Sequence, residues 1–386
     1  YRFLLTPPIH ISPHNSEIIY IGAQVLLRSL NRGDHWQEIS PDLTSNDQSK
    51  IIPRSEGGLP WFAISTIAES PLTPGLIWVG TCDGRVWLTK NSGATWIDLT
   101  PKLLAAGGHK DRYISRISPS HFKDSVAYLC QTGYWQDDFA PLVFKTEDYG
   151  NSWISLATSL PQAPINVIFE DRKNQNLLFL GNDEGLYVSI DGGRKWLRWP
   201  DFPKVPVKDL LVHPKENDLV VATFGRGLYV TDIHPLQEIS ERILEEEIYL
   251  FSVEPKAQRV GRSFGANDYL FGDRHLVTPN EPNGLIIYYY LKNKIEGKIN
   301  IVVTDLFGQE IARLVGPNNP GINSIVWEMR PRFRSGAQGP RNLLERLVEP
   351  GEYIIILEAN GKKFSQKAKI TKTIGWSIGA NPQRIR

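Results

Sequence analysis

Five acids in this 386-residue chain raise the first chemical question, whether two carboxylates flank a scissile bond: Asp83, Asp137, Asp138, Asp183 and Glu184. Glycoside hydrolysis needs two carboxyl groups about 5–5.5 Å apart for retention, or about 6.5–9.5 Å apart for inversion. Asp137 and Asp138 are neighbours, so in an extended segment they face opposite sides. Asp83 precedes Gly84, and Asp183 and Glu184 lead into Gly185. Asp-Gly is a common turn pair, so the turn role is the favoured one for Asp83 and Asp183. Tyr134 and Trp135 stand beside Asp137 and Asp138. A stacking platform next to acids suits a sugar or a peptide. Arg116 and Arg226 are the accompanying candidate cations, with hydrogen bonding to neighbouring elements as their structural alternative.

Other chemistries find little support. Cys130 lies in an apolar run, where cysteine behaves as a small hydrophobe. Cys82 stands beside Asp83, which raises a thiol pKa. Two cysteines make neither a disulfide scaffold nor a multi-cysteine metal cluster. His10 and His14 have four-residue spacing, but Pro13 intervenes, and that spacing aligns side chains only on a helix. No metal and no cofactor is expected, and no phosphate-binding or dinucleotide fingerprint is present. Lys plus Arg number 43 against 42 Asp plus Glu, without a basic run, which argues against a nucleic-acid partner. No apolar run approaches the roughly 18 residues of a membrane span.

The elements that must position these residues repeat. Four segments share the frame Ser/Thr-x-Asp/Asn-x-Gly-x-x-Trp: Ser29, Asn31, Gly33, Trp36; Thr89, Asn91, Gly93, Trp96; Thr146, Asp148, Gly150, Trp153; and Ser189, Asp191, Gly193, Trp196. The tryptophans stand 60, 57 and 43 residues apart, the spacing of propeller blades with insertions. Three short strand-like runs precede each box and one follows it, four strands per unit. A fifth unit has runs at 208–213, 219–223 and 227–231 but no box; its fourth strand is expected at 247–252, after a helical excursion at 236–246. The box is expected at the hairpin between third and fourth strands. There the Asp or Asn bonds turn amides, the hydroxyl closes the turn, the Gly takes a positive φ and the Trp packs between blades. One carboxylate or amide per box is too few for calcium.

On these residues the chain resembles Asp-box, or BNR-repeat, β-propellers of the sialidase and sortilin-like superfamily. Ser40-Pro-Asp-Leu-Thr44, Asp137-Asp-Phe-Ala-Pro141 and Phe224-Gly-Arg-Gly-Leu-Tyr-Val-Thr-Asp232 are similar to large bacterial BNR-repeat proteins labelled glycosyl hydrolase or sortilin-like. The resemblance covers residues 1–255. It implies a longer parent chain with further blades, an extracytoplasmic setting, and a ligand face opposite the boxes. A sialidase would bring three arginines onto a substrate carboxylate and a Tyr–Glu pair; Arg112, Arg116 and Arg226 are the arginines near the channel, and no Tyr–Glu pair is assignable. The ligand face is built from the turns 81–84, 182–185 and 224–227, the enlarged turn 131–141, and the entry connections 45–61 and 101–112.

Residues 256–274 read as a linker, 275–372 as an immunoglobulin-like sandwich of short strands, with a long insertion at 333–348, and 373–386 as a tail. The expected fold is all-β: about five four-stranded blades followed by that sandwich. The expected function is recognition of a glycan or a protein segment. A glycoside hydrolase, sialidase- or xyloglucanase-like, is the first alternative, and a scaffold module of an envelope assembly the second.

Overall fold

The computed structural model describes residues 1–47, 62–200, 202–258, 282, 284–331 and 347–372. Most of the 45–61 connection, most of the 256–274 linker, most of the 333–348 insertion and all of the 373–386 tail lie outside the described residues. The chain divides into two compact units, Tyr1–Gln237 and Glu238–Arg386.

The first unit is five successive antiparallel blades of a β-propeller. Blade one is β1 (Ile9–Ile11), β2 (Ile19–Gly22), β3 (Leu26–Ser29) and β4 (Gln37–Glu38). Blade two is β5 (Ile64–Glu69), β6 (Ile77–Thr81), β7 (Val86–Thr89) and β8 (Ile97–Asp98), followed by helix α1 (Thr100–Ala105). Blade three is β9 (Tyr113–Pro119), β10 (Ala127–Gly133), β11 (Asp138–Thr146) and β12 (Ile154–Ser155). Blade four is β13 (Ile165–Glu170), β14 (Leu178–Asn182), β15 (Gly185–Ser189) and β16 (Leu197–Arg198). Blade five has three strands, β17 (Val207–Val212), β18 (Asp218–Thr223) and β19 (Leu228–Asp232). Strands β6 and β14 are buried along their whole length because a blade packs on each face. They accordingly read as continuous apolar runs, without polar alternation.

One position makes that packing possible. Gly22, Gly80, Cys130, Gly181 and Ala222 occupy equivalent places, opposite Leu26, Val86, Val143, Leu186 and Leu228. A Cβ added at Gly22 would lie 2.7 Å from the Ile64 Cβ, at Gly80 2.7 Å from that of Ile114, and at Gly181 2.8 Å from that of Val207. Blades one, two and four thus each offer a glycine as a socket for a β-branched residue of the next blade's first strand.

Beside each socket sits a polar latch. The first strands of blades two to five are bulged at Ser65, Ser115, Asn166 and Lys208. Ser65 Oγ donates to the Ile114 carbonyl at 2.7 Å, Ser115 Oγ to the Ile165 carbonyl at 2.9 Å, and Asn166 Nδ2 to the Val207 carbonyl at 3.0 Å. A bulge leaves one residue outside the ladder, and here its side chain ties the next blade. We expect Ser115→Ala to lower stability by about 1 kcal/mol, because it orphans a carbonyl at a blade junction. Urea unfolding checks this, and an unchanged midpoint refutes the latch.

The box hairpins share one geometry. In the last of them Ser189 Oγ donates to Asp191 Oδ1 at 2.8 Å and accepts from the Gly193 amide at 2.8 Å. Asp191 Oδ1 also accepts from the Lys195 amide at 3.0 Å. The other three repeat this with Ser29 and Asn31, Thr89 and Asn91, and Thr146 and Asp148. Gly33, Gly93, Gly150 and Gly193 have φ between 82° and 103°, where a Cβ is strained. Trp96 Nε1 donates to the Ile39 carbonyl and Trp196 Nε1 to that of Leu156, each in the preceding blade. Trp153 is buried against Trp78 at 6.2 Å. Trp36 departs from the expected interblade packing: it is 43% exposed, because among the described residues no blade precedes its own.

The second unit packs a three-stranded sheet against a five-stranded one. The first has the order β20 (Ile248–Leu250), β22 (Leu285–Leu291), β25 (Gly321–Trp327). The second has the order β21 (Lys256–Gln258), β27 (Lys362–Lys372), β26 (Gly351–Ala359), β23 (Ile299–Thr304), β24 (Glu310–Gly316). The sequence places residues 247–252 as a fourth strand of blade five. Instead Ile248–Leu250 pairs with Leu285–Leu291, and its alternate apolar residues Ile248 and Leu250 enter this unit's core. The helical excursion is seen as two short helices, α2 (His234–Glu238) and α3 (Glu241–Glu245). Strand β22 alternates buried and half-buried residues, as a sheet with one core face must. Trp327 and Tyr353, one from each sheet, meet edge to face at 5.4 Å.

Candidate functional site

The turn between second and third strands is two residues long in blade four, where Asn182 pairs with Gly185. In blade three the corresponding turn is enlarged. Strands β10 and β11 run on past their neighbours to a neck at Gly133 and Asp138, capped by a 3-10 turn at Tyr134–Gln136. The neck requires glycine by space: a Cβ on Gly133 would lie 2.6 Å from the Asp138 Cβ. Asp137 takes the left-handed conformation, φ 51°, and ends the turn. Asp137 and Asp138 are therefore not neighbours on one extended strand. Asp137 is exposed at the tip while Asp138 points into a cluster.

That cluster joins a carboxylate, a guanidinium and an imidazole. Asp138 Oδ2 lies 2.7 Å from His109 Nδ1 and accepts from Arg112 Nε at 2.8 Å, while its Oδ1 accepts from the Ala140 amide at 3.2 Å. Burial raises the Asp138 carboxyl, but the bonds from His109 and Arg112 outweigh it and hold the group down at about 2. The carboxylate only accepts, so His109 Nδ1 must carry the proton, and a neutral ring then offers Nε2 as an acceptor. His109 is fixed from behind by Gln131, which is fully buried. The Gln131 side chain accepts from the His109 amide at 3.0 Å and donates to the His109 carbonyl at 3.1 Å.

Beside it is an aromatic patch. The rings of Tyr113 and Trp135 lie 5.3 Å apart, and Tyr134 meets Trp135 edge-on at 5.9 Å. Tyr134 is 54% and Trp135 52% exposed. Burial pushes the Tyr113 hydroxyl up to about 12, so it stays protonated. Tyr134, Trp135 and Asp138 were legible as candidates in the sequence. His109 and Arg112, from the connection entering the same blade, and Tyr113, the first residue of β9, complete the site. The signal available in the sequence was the length of that connection, not any spacing to residue 138.

The other candidates lie apart from this cluster. Asp83 is buried: its carboxylate accepts from the Thr81 hydroxyl at 2.5 Å and the Ser45 amide at 2.7 Å. In the blade-four turn the amide acceptor is Asn182, which takes the Glu184 amide at 2.8 Å. Asp183 accepts instead from Asn166 at 2.8 Å and from Lys208 at 2.9 Å. Arg116 pairs with Asp209 of blade five at 2.5 Å, and Arg226 lies exposed in the blade-five turn. With Arg112 on Asp138 and Arg116 on Asp209, the three arginines do not gather as a carboxylate clamp. Burial drives both thiols up, Cys82 to about 12 and Cys130 further, so neither is a nucleophile. Among the described residues no group of three or more His, Cys, Asp or Glu side chains is placed to hold a metal ion. Among them, too, no helix is long and apolar enough to cross a membrane.

No protein-family model and no curated protein matches the chain. Several solved structures follow a similar course. The GH74 xyloglucanase of Xanthomonas campestris is 12% identical, with a TM-score of 0.44, and the match covers 94% of this chain and 53% of that one. The GH74 enzyme of Niastella koreensis is 12% identical, with a TM-score of 0.47, covering 92% and 56%. YCF48 bound to D1 peptide is 16% identical, with a TM-score of 0.27, covering 56% and 77%. The chain spans about half the length of the GH74 structures. At these identities and scores the likenesses carry no functional conclusion.

Proposed function

We propose that the chain is an extracytoplasmic recognition propeller that binds a glycan or a protein segment on the loop face of blade three, opposite its box hairpins. The immunoglobulin-like sandwich serves as a spacer or attachment module. The observation that carries the reading is the exposed Tyr134–Trp135 patch set against the His109–Asp138–Arg112 cluster. Aromatic faces supply rigid apolar area at little entropic cost, and the cluster supplies oriented polar groups. Loops on a rigid scaffold are where such groups collect.

The hydrolase alternative is narrowed by the same geometry. A general acid must hold a proton near neutral pH, whereas Asp138 is held at about 2. Asp83 and Asp183 are occupied by bonds inside the fold. The general acid would then fall to Asp137 or Glu184, and Asp138 would be left only the ionised role of base or nucleophile.

We expect Trp135→Ala to weaken binding of a ligand found by glycan array or pull-down at least tenfold, the size of a buried aromatic anchor. Asp137→Ala and Glu184→Ala should leave binding within about twofold, since neither belongs to the patch. If Trp135→Ala binds as the parent does, the site is misplaced. If a polysaccharide panel yields products that vanish with Asp137 or Glu184, the hydrolase reading replaces this one.

A further inference from the structure

We propose that the ligand of the blade-three face is a neutral glycan held through a single pyranose ring. The ring stacks on Trp135, and two neighbouring hydroxyls on its rim meet His109 Nε2 and Arg112 Nη2. The proposal rests on the reading of the Tyr134–Trp135 patch as the binding site, and it chooses between the two ligand classes that this reading admits.

The first observation is the angle between the exposed rings. Tyr134 and Trp135 stand at 89° to each other, and Tyr113 meets Trp135 at 50°. Coplanar rings would make a shelf, along which an extended sugar chain gains contact with each residue. Rings at right angles make a corner, which takes one ring with the indole face beneath it and Tyr134 at its side. A pyranose suits such a corner because its faces carry C–H groups and its rim carries the hydroxyls, so one rigid group offers apolar and polar contacts together.

The second observation is a pair of polar atoms aimed by one carboxylate oxygen. His109 Nδ1 and Arg112 Nε both bond Asp138 Oδ2, so the imidazole and the guanidinium project outward from one anchor. Among the described residues neither His109 Nε2 nor Arg112 Nη2 makes a further bond, and the two side chains are 44% and 24% exposed. Nε2 of the neutral ring accepts and Nη2 donates, and a hydroxyl does both, so adjacent hydroxyls satisfy the pair. Asp138 and the Gln131 clasp fix these atoms before a ligand arrives, which leaves little ordering to be done on binding. A peptide would have to freeze the rotatable bonds between its apolar side chain and its backbone N–H and C=O to meet the same three groups. Arg112 is neutralised by Asp138, and Arg116 is held by Asp209, so the cluster has no spare cation for a sugar carboxylate. That makes the sugar a neutral one.

The test probes the full chain with an array of neutral oligosaccharides and with a random peptide library, then titrates the best-bound saccharide by calorimetry. Lengthening that saccharide from a trimer to a hexamer should change its affinity by less than about twofold, because the corner takes one ring. Monodeoxy analogues should reveal two critical hydroxyls, each worth about tenfold, the size of a hydrogen bond to a fixed partner. His109→Ala should itself cost about tenfold, and the analogue lacking the hydroxyl that faces Nε2 should then bind the variant as well as the complete sugar does. Unfolding midpoints confirm that the variant folds. An affinity that climbs with every added residue, or a deoxy loss that persists in His109→Ala, overturns this inference; the site itself stands when Trp135→Ala still weakens binding. Peptides that bind the parent and not Trp135→Ala, with no saccharide bound, likewise overturn the glycan and keep the site. If neither library binds, or Trp135→Ala changes nothing, the site is misplaced and the inference falls with it.

Discussion

Gly80→Val collapses the stability of the blade unit, by about 3 kcal/mol or more. Its Cβ would sit 2.7 Å from the Ile114 Cβ and 2.8 Å from the Thr66 Cγ2, between two first strands that cannot both retreat. Overpacking a close-packed interior costs about 1–3 kcal/mol when side chains can yield, and more when the clash lies next to backbone. Ala222→Val is the internal control. It sits at the equivalent register in blade five, where Leu228 and Val230 are 70% and 61% exposed, and should cost under about 1 kcal/mol. Urea midpoints of the two variants decide the matter. Equal losses at both positions would show that the glycine serves its own strand and not the junction.

His121 makes the stability of blades three and four depend on pH. Burial, aided by Arg172, holds its imidazole at about 4, against an ordinary value of 6.5. A histidine with a depressed folded pKa takes its proton in the unfolded chain first. Its contribution is therefore complete above pH 6.5 and is lost as the pH falls towards 4. The full shift corresponds to about 3 kcal/mol at 1.4 kcal/mol per unit, and partial solvation of the ring reduces it to about 1–2. Glu170, 3.9 Å away, opposes this. Burial raises its carboxyl despite bonds from Ser120, the His121 amide and Tyr128, so the folded state gains stability as Glu170 takes up a proton. Both shifts favour the neutral forms, so desolvation outweighs attraction within the pair. The clean measurement is the difference between the parent and His121→Gln. The variant should lose about 1–2 kcal/mol less than the parent between pH 7 and pH 4.5. Parallel pH profiles would refute the assignment.

The legible parts of this protein were those written in local periodicity. Four Trp-terminated boxes implied four hairpins, because a hydroxyl, an amide or carboxylate and a positive-φ glycine close such a turn within eight residues. The strand order within each blade followed, since consecutive strands joined by short turns pair with each other. Residues 248–250 were placed in the wrong unit because three alternating residues fit the edge of either sheet. Only the apolar neighbours on Leu285–Leu291 decide between them. Tyr134, Trp135 and Asp138 announced themselves by type within an enlarged turn. Arg112 was named only as one of three arginines near the channel and His109 not at all, because their bonds to Asp138 span 26 and 29 residues.

By itself the sequence determined an all-β chain, the blade as its unit and the hairpins as its fixed points, since these rest on backbone geometry within a few residues. The tertiary structure alone decided that Gly80 and Gly181 are sockets, that Ser65, Ser115 and Asn166 are latches, and that Asp138 is a clamped anion. Those roles depend on which side chain of another blade or loop arrives opposite, and such meetings are set by packing between distant segments, for which a local pattern holds no record.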